Sequence, residues 1–308
     1  MQNKRTVYRR ELIACLLSGM ALLTACAQHT PRGGHWAVEQ LNPYPLELGE
    51  GPAWDGAHSV FFTEIYASRI QRFDLASGAV TTVFPESAAA NGMVLDAGGQ
   101  LWICAQDVGQ IVRLLPGEKS WTVVAGEYQG TRFNHPNDLT LDAFGGVYFT
   151  DPAWNPALHQ HQPVNGVYYV NDGTDGERKV SLLISDMDKP NGILLSRDNR
   201  FLYVVDMGND DFRRYPVVAP GKLGPMEHFA ELSTYHVRAA APDGLEEDLA
   251  GNIYVAAENG IQIFSASGEL LNLVQLPQRP TNLEFIDPER QVLFVTTMNN
   301  LYRVSVGK

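Results

Sequence analysis

Cysteine is scarce in this sequence, with three among 308 residues. Cys15 lies inside an N-terminal apolar stretch, which leaves Cys26 and Cys104 for the rest of the chain. If Cys26 is modified, no intramolecular disulfide is possible. The fold must then rest on its core, and about 280 residues can bury a large one. Positive charge is also in short supply: 23 Lys and Arg stand against 35 Asp and Glu, a net charge of −12. No basic stripe is present, which excludes nucleic acid as a partner. No G-x-S-x-G elbow occurs, which argues against a serine hydrolase, and no dinucleotide or phosphate-loop motif points to an organic cofactor. Past residue 25 the chain has no long helical period and no apolar run of membrane-spanning length.

The N-terminus reads as a targeting segment. Lys4, Arg5, Arg9 and Arg10 form a basic region before the apolar stretch Leu12 to Ala25. That stretch is too short to cross a bilayer comfortably, since a span needs roughly 20 residues, and suits a signal-peptide core. It ends in Leu23-Thr24-Ala25-Cys26, which resembles the lipobox of bacterial lipoproteins. We expect residues 1–25 to be a lipoprotein signal, Cys26 to carry the lipid and residues 26–34 to be a tether. A propeller catalytic domain is expected over 35–308, membrane-anchored at the outer membrane or periplasmic face. Loss of the signal, with four basic residues and Glu11, takes the net charge to −15.

Six segments share one grammar: a polar opening, an apolar strand, a D-x-x-G-like turn, and a second strand rich in Val, Ile, Tyr and Phe. The openings begin at Glu50, Asn91, Asn137, Asn191, Asp243 and Asn282, with spacings of 41, 46, 54, 52 and 39 residues. Blades of four short strands need about 40–50 residues. The Trp154–Asn165 insertion and the 219–236 stretch account for the longer units. Asp96-Ala97-Gly98-Gly99, Asp142-Ala143-Phe144-Gly145 and Asp248-Leu249-Ala250-Gly251 supply the side chain and backbone freedom of tight hairpins. The reading is an all-β, six-bladed β-propeller. It is expected to close by pairing strands near 36–41 and 299–306.

In a propeller the first strand of each blade lines the central channel, so the six opening residues converge on the axis. Asn or Asp before Gly is an ordinary turn residue taken singly. Six oxygen-bearing side chains in register, one of them a Glu, point instead to a site. The set holds no Cys and no His. Hard oxygen donors suit Ca²⁺ first, with Mn²⁺, Zn²⁺ or Mg²⁺ as alternatives. Such an ion can polarise a carbonyl and acidify a water.

The runs Leu48-Gly49-Glu50-Gly51-Pro52-Ala53-Trp54, Phe133-Asn134-His135-Pro136-Asn137-Asp138-Leu139, Pro190-Asn191-Gly192-Ile193 and Pro242-Asp243-Gly244-Leu245 resemble the family of gluconolactonase, regucalcin (senescence marker protein) and luciferin-regenerating enzyme. Phe149-Thr150-Asp151-Pro152 and Gly251-Asn252-Ile253-Tyr254-Val255 fit as well. The resemblance implies a central divalent metal held by Glu50, Asn137, Asn191 and Asp243. Asp243 is also placed as catalytic base or nucleophile. Asp138, Asn91, His135 and Asn282 are expected as substrate-binding or supporting residues. The implied activity is metal-dependent hydrolysis of a lactone, a sugar lactone foremost. A promiscuous esterase or phosphotriesterase on the same metal site, or a non-enzymatic surface-anchored binding propeller, are the alternatives. Two departures stand out. Cys104 is followed by Ala105-Gln106-Asp107 where the family often has Cys-Glu-His, and the last blade has Glu284-Phe285-Ile286 where it usually has Phe-Gly-Gly.

Among the remaining candidates, His159 and His161 sit in the Trp154–Asn165 insertion, as lid residues or as exposed loop. Arg132 and Arg213 could face a substrate carboxylate. Cys104 reads as a small core residue, and Asp210-Asp211 as an acidic turn or a second Ca²⁺ site. The protein is expected to be a monomer that meets a small lactone and, through its lipid, a membrane.

Overall fold

A computed structural model describes residues 36–42, 45–171, 173 and 177–306. The signal at 1–25, Cys26 and the 26–34 tether lie outside the described residues.

The six predicted repeats are six antiparallel sheets set around an axis. Blade 1 is built from Gly49–Trp54, Ser59–Glu64, Arg69–Asp74 and Val80–Pro85. Blade 2 is Ala90–Leu95, Leu101–Ala105, Gln110–Leu114 and Thr122–Ala125, and blade 3 is Leu139–Leu141, Val147–Asp151, Gly166–Val170 and Val180–Ile184. Blade 4 runs Pro190–Leu195, Phe201–Asp206 and Asp211–Ala219, with Lys222–Leu223 and Glu227–His228 both paired to its third strand. Blade 5 is Leu245–Glu247, Ile253–Ala257, Gly260–Phe264 and Leu270–Val274. Blade 6 takes Pro280–Phe285, Val292–Thr297 and Leu301–Val306 from the C-terminal end and Trp36–Gln40 from the N-terminal end. The expected closure is therefore present, with Trp36 opposite Val306 and Gln40 opposite Tyr302.

The strand sequences follow from this packing. Each blade is covered on both faces by its neighbours, so its second strand has no solvent side and reads as a continuous apolar run. In blade 1, Phe61 packs toward blade 2 while Val60 and Phe62 pack toward blade 6. Every interface between adjacent blades has its own apolar cluster. Cys104 is fully buried in the one between blades 2 and 3, as a small core residue.

The hairpins joining first and second strands are closed by the side chains the sequence offered. Asp96 Oδ1 accepts from the backbone N–H of Gly98 and Gln100 at 2.8 and 2.9 Å. Asp55, Asp142, Asp248 and Asp287 do the same in blades 1, 3, 5 and 6, and Ser196 Oγ substitutes in blade 4. A side-chain oxygen replaces the missing backbone partner inside the turn. These hairpins mark one edge of the propeller. The opposite edge, where the first strands begin and the second strands end, is the mouth.

Candidate active site

Strand pairing fixes which residue heads each blade. Gly49, Ala90, Pro190 and Pro280 pair with the last residue of their second strands, Glu64, Ala105, Asp206 and Thr297. The residue after each is the head: Glu50, Asn91, Asn191 and, in blade 6, Thr281. Asn137 and Asp243 hold the place in blades 3 and 5, where Gly92 N–H reaches Asn137 O at 2.8 Å and Gly244 N–H reaches Thr281 O at 2.9 Å. This corrects the sequence reading of blade 6. Asn282 lies one place along, at the position Gly51, Gly92, Gly192 and Gly244 occupy elsewhere. An Asn near the blade start matches the expected residue type, so the sequence leaves the head open by one residue.

The heads converge. Glu50, Asn91, Asn137, Asn191, Asp243 and Thr281 are all buried, as are Asp138 and Asn282. Close approach of neighbouring first strands depends on glycine after the head. A Cβ on Gly192 would stand 2.0 Å from the Asp243 carbonyl oxygen. The carboxamides form a directed chain around the axis: Asn91 Nδ2 donates to Asn137 Oδ1, and Asn137 Nδ2 to Asn191 Oδ1. Asn191 in turn stands beside the Asp243 carboxylate and favours its ionised form. On the other side Asn282 Nδ2 donates to Glu50 Oε2 at 3.1 Å, and Gly51 N–H to the same oxygen at 3.0 Å.

Three carboxyl groups share this water-poor space. Burial raises Glu50 well above the ordinary glutamate value, and the charges of Asp243 and Asp138 push the same way. Burial pushes Asp138 up to about 7. Asp243 is raised to about 6 by burial, against the opposing pull of Arg279. Buried like charges repel, and a proton or a nearby cation relieves them. The donor set is hard oxygen, with carboxylates and carboxamides mixed. Among the described residues no three His, Cys, Asp or Glu side chains by themselves make an ion site. A divalent ion with oxygen preference fits such a mixed set and would offset the repulsion.

Two residues of the site were not singled out from sequence. Gln106 is buried and sends Nε2 toward Asn137 Oδ1 at 3.3 Å. It fills space in the second blade where the expected His is missing. Arg279 donates to Asp243 Oδ2 at 2.9 Å. A signal for Arg279 exists: it precedes Pro280 and the head of blade 6 as His135 precedes Pro136 and Asn137.

His135 lies at the mouth rather than on the axis. Its ring stacks on His159 at 4.1 Å between centroids, 5° from parallel, and its Nε2 is 3.4 Å from Asp107 Oδ1. Burial first, then the His159 charge, lowers it to about 4. The Trp154–Asn165 insertion holds a short helix, Pro156–His159, and is tied down. Asn134 Oδ1 accepts from His161 and Gln162 N–H at 2.7 Å, and Asn134 Nδ2 donates to Val164 O at 2.9 Å. Arg213 is spent on Asp186 and Asp211, at 3.0 and 2.6 Å. Arg132 binds the carbonyls of Asp107 and Phe133. Neither arginine is drawn to the axis. Asp210 accepts from Ala240 and Ala241 N–H at 2.9 and 2.8 Å, as a loop clamp rather than an ion site.

Comparison with known proteins bears on the same span. The model of the SMP-30/Gluconolactonase/LRE-like region matches residues 48–299. A gluconolactonase of Zymomonas mobilis is 27% identical over 283 residues, covering 84% of this chain and 78% of the relative. The solved structure of a gluconolactonase from Xanthomonas campestris superposes with a TM-score of 0.76 at 26% identity, over 88% of this chain and 89% of that one. A regucalcin from Agrobacterium tumefaciens, described as calcium-binding, shares the fold with a TM-score of 0.72 at 21% identity, over 89% and 96%.

Proposed function

This chain belongs to the SMP-30/gluconolactonase/LRE-like family, and from that premise we propose that it is a metal-dependent hydrolase that opens a lactone ring. The observation that carries the reading is the axial cluster itself: Glu50 and Asp243, buried and mutually repelling, beside the carboxamides of Asn137 and Asn191. Relatives named gluconolactonase support lactones as the substrate class, and sugar lactones as the first to test.

Glu50, Asn137, Asn191 and Asp243 would hold the cation, Ca²⁺ foremost. Bound there, it would supply Lewis-acid polarisation of the lactone carbonyl. Asp243 accepts the proton of the attacking water, or attacks directly. The Asn91–Asn137–Asn191 chain orients the carboxamide oxygens. Asp138, Asn282 and Gln106 hold the heads in place from behind. His135 and the His159 segment border the mouth on the side of blades 2 and 3, where they would meet substituents of the ring. Ring opening yields the hydroxy acid. Asp243→Asn keeps the shape and removes the base, so acid release should fall at least about 100-fold. Turnover near that of the unaltered protein would refute the assignment.

A lipid on Cys26 would anchor the protein to a bacterial membrane. Trp36 enters the propeller at the edge opposite the mouth, so such a tether would leave the mouth facing away from the bilayer. Cys26→Ser should move the protein from the membrane to the soluble fraction, and a variant still in the membrane fraction would refute the anchor.

A further inference from the structure

Arg279 lies in the connection from blade 5 to blade 6, on the mouth side, and is 29% exposed through its side chain. Its Nη2 donates to Asp243 Oδ2 at 2.9 Å and to the carbonyl of Ala241 at 3.2 Å. Its Nε stands 3.4 Å from Glu258 Oε2. Glu258 is itself fixed by its backbone, whose N–H reaches Ala240 O at 2.7 Å. The guanidinium is therefore fixed through Nη2 on the Ala241 carbonyl, with the Glu258 charge beside Nε, while it grips one oxygen of the axial carboxylate. The segment it braces is strained. Ala241 sits at φ 42°, a left-handed conformation that a residue with a Cβ adopts at a cost. Asp210 clamps that segment from blade 4 and Arg279 clamps it from blade 6.

The charge count gives the contact a purpose. Glu50, Asp138 and Asp243 interact through their charges at the axis, and Arg279 is the cation that touches this set. Fully ionised, the three acids and Arg279 sum to −2, the complement of one divalent cation. A carboxylate left free to turn would offer both oxygens to that cation. Arg279 opposes this by holding Oδ2 away from the cation, and that oxygen keeps a lone pair for proton transfer.

We infer that Arg279 is a positioning residue of this site, which holds Asp243 to a single axis-facing oxygen and trades cation affinity for turnover. The inference rests on the lactonase reading for its turnover arm and on the axial site alone for its binding arm. Its signature is a pair of opposite changes. Removing the guanidinium removes its repulsion on a doubly charged ion held by these residues and frees the second oxygen, so the cation would bind more tightly. The same change ties up the base, so turnover slows. An arginine that merely propped up the loop would weaken both.

The test uses EDTA-stripped protein titrated with Ca²⁺ and with Mn²⁺ by calorimetry, for the unaltered chain, Arg279→Met and Arg279→Lys. Turnover is followed on a lactone panel beside it. Arg279→Met should bind the cation at least about tenfold more tightly. It should lose at least about tenfold in kcat, with KM within roughly threefold. Arg279→Lys keeps the charge but cannot reach Asp243 and Ala241 together. It should bind the cation like the unaltered protein and recover part of kcat. A folded Arg279→Met whose cation affinity is unchanged or weaker overturns the inference. Should Arg279→Met not fold, Arg279→Lys decides, since unaltered kcat in that variant also overturns it. Absence of turnover in the unaltered protein would sink the lactonase reading instead, while the calorimetry still decides the role of Arg279.

Discussion

Asp138 and Asn282 occupy the same place in blades 3 and 6, which face each other across the axis. Each accepts the backbone N–H of the following residue through Oδ1, Leu139 at 2.9 Å and Leu283 at 2.8 Å. Each also needs glycine next door. A Cβ on Gly92 would meet Asp138 Oδ1 at 2.4 Å, and one on Gly244 would meet Asn282 Oδ1 at 2.1 Å. Four blades thus give this position to glycine, and two opposed blades use it to place a polar side chain behind the heads. Asn282→Ala leaves buried Leu283 N–H without its acceptor and takes a donor from Glu50. Calorimetry should show cation affinity weaker by about tenfold or more, in line with one lost buried hydrogen bond to a charged group. Unchanged affinity would mean that Glu50 is placed by other contacts.

Gly192→Ala tests the close approach of blades 4 and 5. The obstruction is backbone, the Asp243 carbonyl, which cannot turn aside as a side chain could. A loss of about 3 kcal/mol or more, or failure to fold, should appear in urea melts. A variant of unaltered stability would show that the two first strands can separate at little cost.

Asp151 fastens the segment that carries Asn137. Its two oxygens accept from Asn134 and His135 N–H, each at 2.8 Å, and Asp206 does the same for Asp188 and Lys189 in blade 4. Asp151→Ala strands two inward backbone donors. Chemical denaturation should show a loss of about 2–4 kcal/mol. A loss under 1 kcal/mol would place the anchoring elsewhere.

Farther along the channel, Glu246 and Glu284 lie side by side, and Arg290 pairs with Glu246. Burial, then the charge of Glu246, raises Glu284 well above its ordinary value of 4.5, and burial raises Glu246. A carboxyl raised in the folded state holds its proton more tightly there than in the unfolded chain. Its contribution is complete below pH 4.5 and is lost as pH climbs through the folded value. Glu284→Gln removes that loss. Between pH 5 and pH 8.5 the unaltered protein should lose more of its melting temperature than the variant, by roughly 3–6 °C. Equal slopes would show that the pair does not hold an extra proton.

The blades were legible because their signals are local and repeated. The Asp turns at 96, 142 and 248 and the doubly buried second strands state a hairpin and a sandwiched strand directly. Five of the six axial heads were legible for the same reason, each sitting in a short motif such as Pro190-Asn191-Gly192. What escaped depends on contacts between blades. Arg279 is 36 residues from Asp243 in sequence, and its place before Pro280 marks the blade start but not its partner. The true head of blade 6 is set by the pairing of Pro280 with Thr297, which a Thr-Asn sequence leaves open by one residue. Arg213 is taken up by Asp211 two residues away and by Asp186 27 residues away, and only the first of these partners is visible locally.

The central claim is that the axial residues open lactones with the help of a divalent cation. The most direct test is acid release from gluconolactone and a panel of other lactones by the purified protein, before and after EDTA and again after Ca²⁺, Mn²⁺ or Zn²⁺ is restored. The account predicts turnover that EDTA abolishes and at least one of these ions restores. Turnover indifferent to EDTA, or no turnover on any lactone by protein that still binds the cation, would contradict it.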